Sequence, residues 1–345
     1  MNRPLRVALV GAGPSAAPHL QSLRDLAPDV ALAWVAARTR ERLDALALPP
    51  GARATTNLAD VLDDATVRAV LVVTPPATHL PIVTALAQAG KHVLVEKPLD
   101  VTLARAQQLV QVCEQHGVLL AVMLQHRLRD ASRALAALVE GGTLGTLTGA
   151  SASVRWWRPQ SYYDAPGRGT LARDGGGVLM TQAIHTLDLM LQYTGLPAEV
   201  TALSTTSAIH RMECEDTATA VVRWTGGGGD TTSAIGTIDA TTAAYPGFAE
   251  RIALNFTRAS ATLEAGELTV HHHDGRITRA GERQATGSGA NIMAFDHGPH
   301  RAAIADFAQA VRQGREPAVT GRSALAVHRL IDAMVMSQGR PLKLD

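Results

Sequence analysis

The apolar positions of the chain fall into two regimes. Through residue 125, short unbroken apolar runs alternate with longer segments in which apolar residues recur at helical spacing. Leu5–Val10, Val30–Ala36, 69–74, 93–95 and 118–123 read as strands, and the near-continuous apolar character of 69–74 suits a parallel sheet buried on both faces. Segments 78–89 and 102–116 read as helices, with Gly90 capping the first and Gly117 leading out of the second. Strict alternation of strand and helix specifies an α/β architecture with a doubly wound parallel sheet. After 125 the rhythm changes. A helix over 132–140 ends at Gly141-Gly142, and 148–154, 198–205, 217–224, 231–238, 250–255 and 261–273 read as strands. Asp274-Gly275 signals a hairpin turn into 276–279. Helices over 301–312 and 323–337 follow. The expected division is a dinucleotide-binding domain over 1–125 and a second domain, of α+β type, over 126–345.

In an open α/β sheet, ligands bind at the carboxyl ends of the strands. The first strand runs into Gly11-Ala12-Gly13-Pro14-Ser15-Ala16, a G-x-G-x-x-A form of the dinucleotide fingerprint. Gly11 allows the tight turn, Gly13 lets backbone approach a pyrophosphate, and Ala16 lets the next helix pack on the sheet. Pro14 and Ser15 complete the loop that leads into the helix N-terminus, where free N–H groups face the phosphates. The second strand tip reads Ala36-Ala37-Arg38-Thr39-Arg40, without the acid that receives the ribose 2′-hydroxyl of NAD. Arg38 supplies a cation suited to a 2′-phosphate and Thr39 a hydroxyl, so NADP(H) is expected in preference to NAD(H), which remains possible. Solvated helix-start residues are the alternative for Arg38 and Arg40. A third tip reads Thr74-Pro75-Pro76-Ala77-Thr78-His79.

The fourth tip carries the most chemistry. His92-Val93-Leu94-Val95 is a strand that stops at Glu96-Lys97-Pro98. Pro98 cannot extend a ladder and biases Lys97 toward an extended conformation. Taken alone, Glu96-Lys97 is equally a surface ion pair. In the second half, Gly175-Gly176-Gly177 precedes an apolar segment that bears Thr181, His185 and Asp188 at i, i+4 and i+7, one helix face. The glycines permit close backbone approach to a ligand. A structural His185–Asp188 pair and a catalytic acid–base group look the same at this level. Arg155-Trp156-Trp157-Arg158, Tyr162-Tyr163 and Arg168 suit a sugar or another polar cyclic substrate, or else core packing. His271-His272-His273 reads as a solvated strand end, and no metal site is expected.

Composition narrows the partners. Of 345 residues, 46% are apolar and 18% charged, with net charge +1, so nothing points to nucleic acid or a membrane surface. No apolar run reaches the roughly 18 residues of a membrane span. The two cysteines, Cys113 and Cys214, form no disulfide or metal pattern. The first strand begins near Leu5, which leaves no room for a signal peptide, and a cytoplasmic location is expected.

The fingerprint followed by His19, Thr74-Pro75 with His79, Glu96-Lys97-Pro98, and the Gly175–Gly177 run with His185 and Asp188 together resemble the Gfo/Idh/MocA oxidoreductases. The resemblance covers nearly the whole chain. It implies a Rossmann domain followed by a domain whose open-faced, mostly antiparallel sheet makes homo-dimer or homo-tetramer contacts. It implies hydride transfer between a nicotinamide cofactor and a hydroxyl or carbonyl carbon of a sugar, inositol, sugar acid or nucleotide sugar. Lys97 and His185 then stand as catalytic residues. Gly11, Gly13, Pro14, Ser15, Ala16, Arg38, Thr39, Thr74, Pro75, His79, Glu96 and Lys97 are the expected cofactor contacts. Arg127, Trp156, Tyr163, Arg168, Thr181 and His185 are the expected substrate contacts. Two departures stand out: Thr181 occupies a position where many members have Asp, and Pro76 replaces an Asn. A cofactor-dependent sugar sensor and a redox-assisted hydrolase or lyase are the alternative functions.

Overall fold

The computed structural model describes residues 3–27, 29–225, 233–284, 287–289 and 296–344. They divide into two compact units, Met1–Gln125 with His297–Leu325, and His126–Asp296 with Ala326–Asp345. The segment 297–325, expected in the second domain, therefore belongs with the first. The reason is packing: the helix Gly298–Gln313 lies on the helix Ala16–Asp25, and Val122 N–H donates to the Val319 carbonyl at 3.1 Å.

The first unit holds strands β1 (Leu5–Val10), β2 (Val30–Ala36), β3 (Arg53–Thr55), β4 (Ala69–Val72), β5 (His92–Val95) and β6 (Leu120–Val122). All pair in parallel, in the order β3-β2-β1-β4-β5-β6. Every side chain of β4 is buried, which accounts for the unbroken apolar run. The order reverses between β1 and β4, and at such a point the loops on either side part and leave a crevice at the strand ends.

The second unit holds β7 (Leu147–Arg155), β8 (Glu199–Thr205), β9 (Thr217–Thr225), β10 (Ser233–Thr241), β11 (Arg251–Phe256), β12 (Ala259–Glu264), β13 (Glu267–His272), β14 (Ile277–Ala280) and β15 (Leu342–Lys343). They form one sheet in the order β14-β13-β12-β11-β7-β10-β9-β8-β15, antiparallel except where β10 meets β7. Residues 231 and 232 of the expected 231–238 strand lie outside the described residues. The expected 261–273 strand is instead a hairpin, β12 and β13, turned by Ala265 and Gly266 at φ of 50° and 84°. An alanine rarely accepts that conformation, so composition hid the turn. One sheet face is buried: Ala218, Ala220, Val222 and Trp224 of β9 point inward, and Thr219, Val221 and Arg223 point out. The helix Ile184–Thr194 covers the inner face against β7 and β11. Among the described residues, no helix is long and apolar enough to cross a membrane.

The start of that helix departs from the expected periodicity. Leu179–Ala183 is a π-turn, and regular α-helix begins only at Ile184. A π-turn holds more residues per turn than an α-helix, so Thr181 and His185 are not related by the regular α-helical rotation that the i, i+4 spacing assumes. The glycine run before it also has an internal purpose. Glu215 accepts hydrogen bonds from the N–H groups of Gly177 at 3.0 Å and Leu179 at 3.1 Å. A Cβ on Gly177 would lie 1.7 Å from the Glu215 carbonyl oxygen. The close approach is thus made by the protein's own backbone. Gly177→Ala is expected to destabilise the fold by about 3 kcal/mol through overpacking. Chemical denaturation checks this, and an unchanged midpoint would contradict the packing described.

Candidate functional site

In the first unit, four strand tips carry the candidate residues. Gly11 has φ +118°, and a Cβ there would meet the Val73 carbonyl at 2.9 Å, so the β1 tip presses on the chain leaving β4. Around Gly13 the Cβ direction is open for 4 Å, which leaves bare backbone beside the N-terminus of the helix Ala16–Asp25. Ser15 makes no side-chain cap there, and Ala16 is fully buried against the sheet. Bare backbone, an uncapped helix start and the sheet's point of reversal together fit a pyrophosphate. At the β2 tip, Arg38 and Thr39 are exposed. Arg40 is paired with Asp44 at 2.8 Å, whereas Arg38 makes no ion pair among the described residues.

Lys97 is half-buried, and the chain on both sides of it is tied down. Before it, Glu96 accepts from His19 Nε2 at 2.6 Å through Oε1 and from the Lys97 backbone N–H at 3.1 Å through Oε2. Burial pushes the Glu96 carboxyl up, but the His19 hydrogen bond and the charges of His19, His300 and Lys97 outweigh it and bring the pKa to about 2. These partners favour the ionised form of a largely buried carboxylate. The His300 ring meets the His19 ring edge-on at 5.4 Å, and burial pushes its pKa down to about 4. After Lys97, the His79 ring nitrogens face the carbonyls of Pro98 and Leu99 at 3.1 Å and Thr74 at 2.9 Å. Asp100, fully buried, accepts from the Leu80 N–H and from Arg105. His79 was expected to touch a cofactor. A fully buried ring has no surface to offer one, and it serves instead to join the Thr74-Pro75 tip to the Lys97 tip.

His19, Glu96 and His300 also bring three possible metal-ligand atoms within 4.8 Å of one another. At 2.6 Å the His19–Glu96 contact is a hydrogen bond. Two donors on one zinc, each about 2.0 Å from the ion, stand about 3.3 Å apart.

In the second unit, the helix Ile184–Thr194 presents His185 and Asp188, both buried. Asp188 does not pair with His185. It takes a two-point contact from Arg127, with Nε at 2.7 Å. Burial pushes the Arg127 pKa down, but the bond and charge of Asp188 raise it further, so the guanidinium stays charged. Arg127, expected at the substrate, is thus occupied in bracing the helix. His185 stacks on His126, with ring centroids 4.6 Å apart and planes 24° from parallel. Two further substrate candidates are core residues: Trp156 is buried, and the buried Tyr163 hydroxyl bonds Thr242 at 2.7 Å. Arg168 lies over the Tyr162 ring at 4.3 Å and donates to its hydroxyl, which also accepts from Gln182 at 3.3 Å. Thr181 donates to the Gly177 carbonyl. Arg168, Tyr162 and Gln182 thus form one string that reaches the start of the His185 helix. Gln182, His126 and Glu215 were not singled out by sequence reasoning, because each matters only through a distant partner.

Residues 5–124 match the family described as "Oxidoreductase family, NAD-binding Rossmann fold", and 132–262 match the "GFO/IDH/MocA C-terminal domain". An uncharacterised oxidoreductase of Schizosaccharomyces pombe is 28% identical over 62% of this chain and 58% of its own length. The scyllo-inositol 2-dehydrogenase (NADP(+)) IolW of Bacillus subtilis is 29% identical over 44% of this chain and 42% of its own. The chain thus spans about half the length of these curated relatives. The crystal structure of the WlbA dehydrogenase from Bordetella pertussis, in complex with NADH and UDP-GlcNAcA, superposes with a TM-score of 0.83 at 28% identity. That match covers 99% of both chains. With both of its parts matched by the family's own domains, the chain belongs to the GFO/IDH/MocA family of oxidoreductases.

Proposed function

We propose that the protein is an NADP(H)-dependent dehydrogenase or reductase acting on a hydroxyl or carbonyl carbon of a sugar, inositol, sugar acid or nucleotide sugar. The observation that carries this reading is Lys97 at the end of β5, its backbone clamped by a buried, ionised Glu96. Gly11, Gly13, Pro14 and Ser15 hold the pyrophosphate on bare backbone, and the Thr74-Pro75 tip lines the same strand ends. Once bound, nicotinamide supplies a carbon that gives or takes a hydride. The Lys97 ammonium holds the substrate oxygen and stabilises the charge that develops on it. His185 moves the hydroxyl proton. Thr181 has no carboxylate, so the proton chemistry rests on His185 and Lys97.

Arg38, exposed and without an ion pair among the described residues, supports a 2′-phosphate at the β2 tip. The relatives point both ways, since one carries NADP(+) in its name and the other was crystallised with NADH. Leu203, Val221 and Ile235 are 66%, 52% and 61% exposed on the outer face of β8, β9 and β10. A row of large apolar side chains there supports homo-dimer or homo-tetramer formation through this sheet.

Three outcomes are expected. Lys97→Ala retains NADPH binding, measured by fluorescence titration, but lowers kcat on a substrate drawn from a sugar and polyol panel by about a hundredfold. Near-normal turnover would remove Lys97 from the chemistry. Ligand-induced stabilisation in the unaltered protein, with no change in nicotinamide absorbance, would favour a sensor. Arg38→Ala weakens NADP(H) binding by about tenfold and leaves NAD(H) binding unchanged. Equal effects on both cofactors would contradict the 2′-phosphate role. Val221→Glu combined with Ile235→Glu converts the oligomer to monomer in light scattering, and an unchanged mass would exclude this sheet face.

A further inference from the structure

We propose that His126 is a positioning residue for His185, presenting a flat, uncharged ring against which the His185 imidazole is stacked. This rests on the reading of His185 as the proton carrier. The argument begins with Arg129, whose Nη2 lies 2.8 Å from His126 Nε2. A guanidinium has donors only, so Nε2 must be the acceptor and the His126 proton must sit on Nδ1. A ring bound in this way cannot take a second proton at Nε2 without losing its partner. His126 is therefore neutral, and its tautomer is set from outside the stack.

The charge of Arg129 is answered in turn. Its Nη1 donates to Glu250 Oε1 at 3.0 Å, and both side chains are largely buried. The His185 ring thus faces an uncharged imidazole plane, with Arg129, itself paired to Glu250, at the Nε2 edge of that ring. The stack geometry, 4.6 Å between centroids and 24° between planes, is that of a face-to-face contact. An imidazolium formed on His185 meets the π face of a neutral ring, where a second cation would repel it.

The neighbouring residue completes the device. Arg127 grips Asp188, three residues beyond His185 on the same helical face. Adjacent residues of the short turn Gln125–Leu128 therefore engage positions 185 and 188 together. Arg127 sets the rotation of the helix, and His126 sets the plane of the one ring that has to move a proton. A displacement of about 1 Å at such a group can cost two orders of magnitude in rate.

The test compares full-length His126→Ala, His126→Phe and His126→Gln with His185→Ala. Each is assayed for kcat and for KM of substrate and cofactor, on whichever panel compound the unaltered protein turns over. His126→Ala is expected to lower kcat by about ten- to a hundredfold while the cofactor KM stays put. His126→Phe, which restores a flat ring but no acceptor, recovers most of kcat. His126→Gln, which restores the acceptor but no ring, does not. Should His126→Ala fail to fold, the Phe and Gln variants decide between stack and hydrogen bond. Recovery by Gln and not by Phe would overturn the proposal, as would normal kcat in His126→Ala. Substantial turnover in His185→Ala would instead remove the reading on which the proposal rests. A side-chain nitrogen NMR spectrum reads the same contact without turnover, with the His185 signals assigned from His185→Ala. Those signals are expected to shift in His126→Ala, and unshifted signals would overturn the stack.

Discussion

A carboxylate held largely out of water needs close partners, and in this protein that carboxylate is Glu96, with its side chain 14% exposed. Its two oxygens are met by His19 and by the backbone N–H of Lys97. His19 comes from the helix that the glycine fingerprint opens, and Glu96 from the end of β5. His300, whose ring meets His19, arrives from a segment some two hundred residues later in the chain. One buried charge therefore ties the fingerprint helix, the lysine tip and the returning helix to each other. His79 and Asp100 do the same work on the far side of Lys97 through backbone carbonyls and N–H groups.

The second unit follows the same logic with different residues. Asp188, buried in the helix that bears His185, is matched by Arg127. Glu215 satisfies the N–H groups that start that helix, so closely that only glycine fits at 177. Arg129 is matched by Glu250 and orients His126. In each case a buried polar group is met by a charged or N–H partner from another part of the chain, which holds the two segments in register. Lys97 and His185, the side chains proposed to carry the chemistry, are the ones that stand beside these clamps.

Much of the fold was legible because burial leaves a periodic mark. β1, β2, β4 and β5 show apolar runs, and β9 and β10 show alternation. The glycine fingerprint and Glu96-Lys97-Pro98 were visible as motifs at strand ends. The two-residue β15 and three-residue β3 are too short to leave a pattern. The β12–β13 turn was hidden by Ala265, and the π-turn by its ordinary apolar composition. His79, Arg127, Trp156 and Tyr163 share one feature that the sequence does not display. Each is a residue type that suits a ligand, and each found its partner inside the protein, through contacts that sequence spacing does not encode. The return of 297–325 to the first unit was missed on the same grounds.

The central claim is that Glu96 is a buried, ionised clamp on Lys97, and its titration tests that most directly. The folded-state pKa lies below the ordinary 4.5, so the stability Glu96 contributes is fully present above that value. It is lost as pH falls toward about 2. The measurement is carbon-13 NMR of the glutamate carboxyls in the full-length protein, with the Glu96 signal assigned from Glu96→Gln. The account predicts no protonation of Glu96 down to the acid limit of the fold, with a midpoint extrapolating to about 2. A Glu96 midpoint at or above the ordinary carboxylate value, in the folded protein, would contradict it.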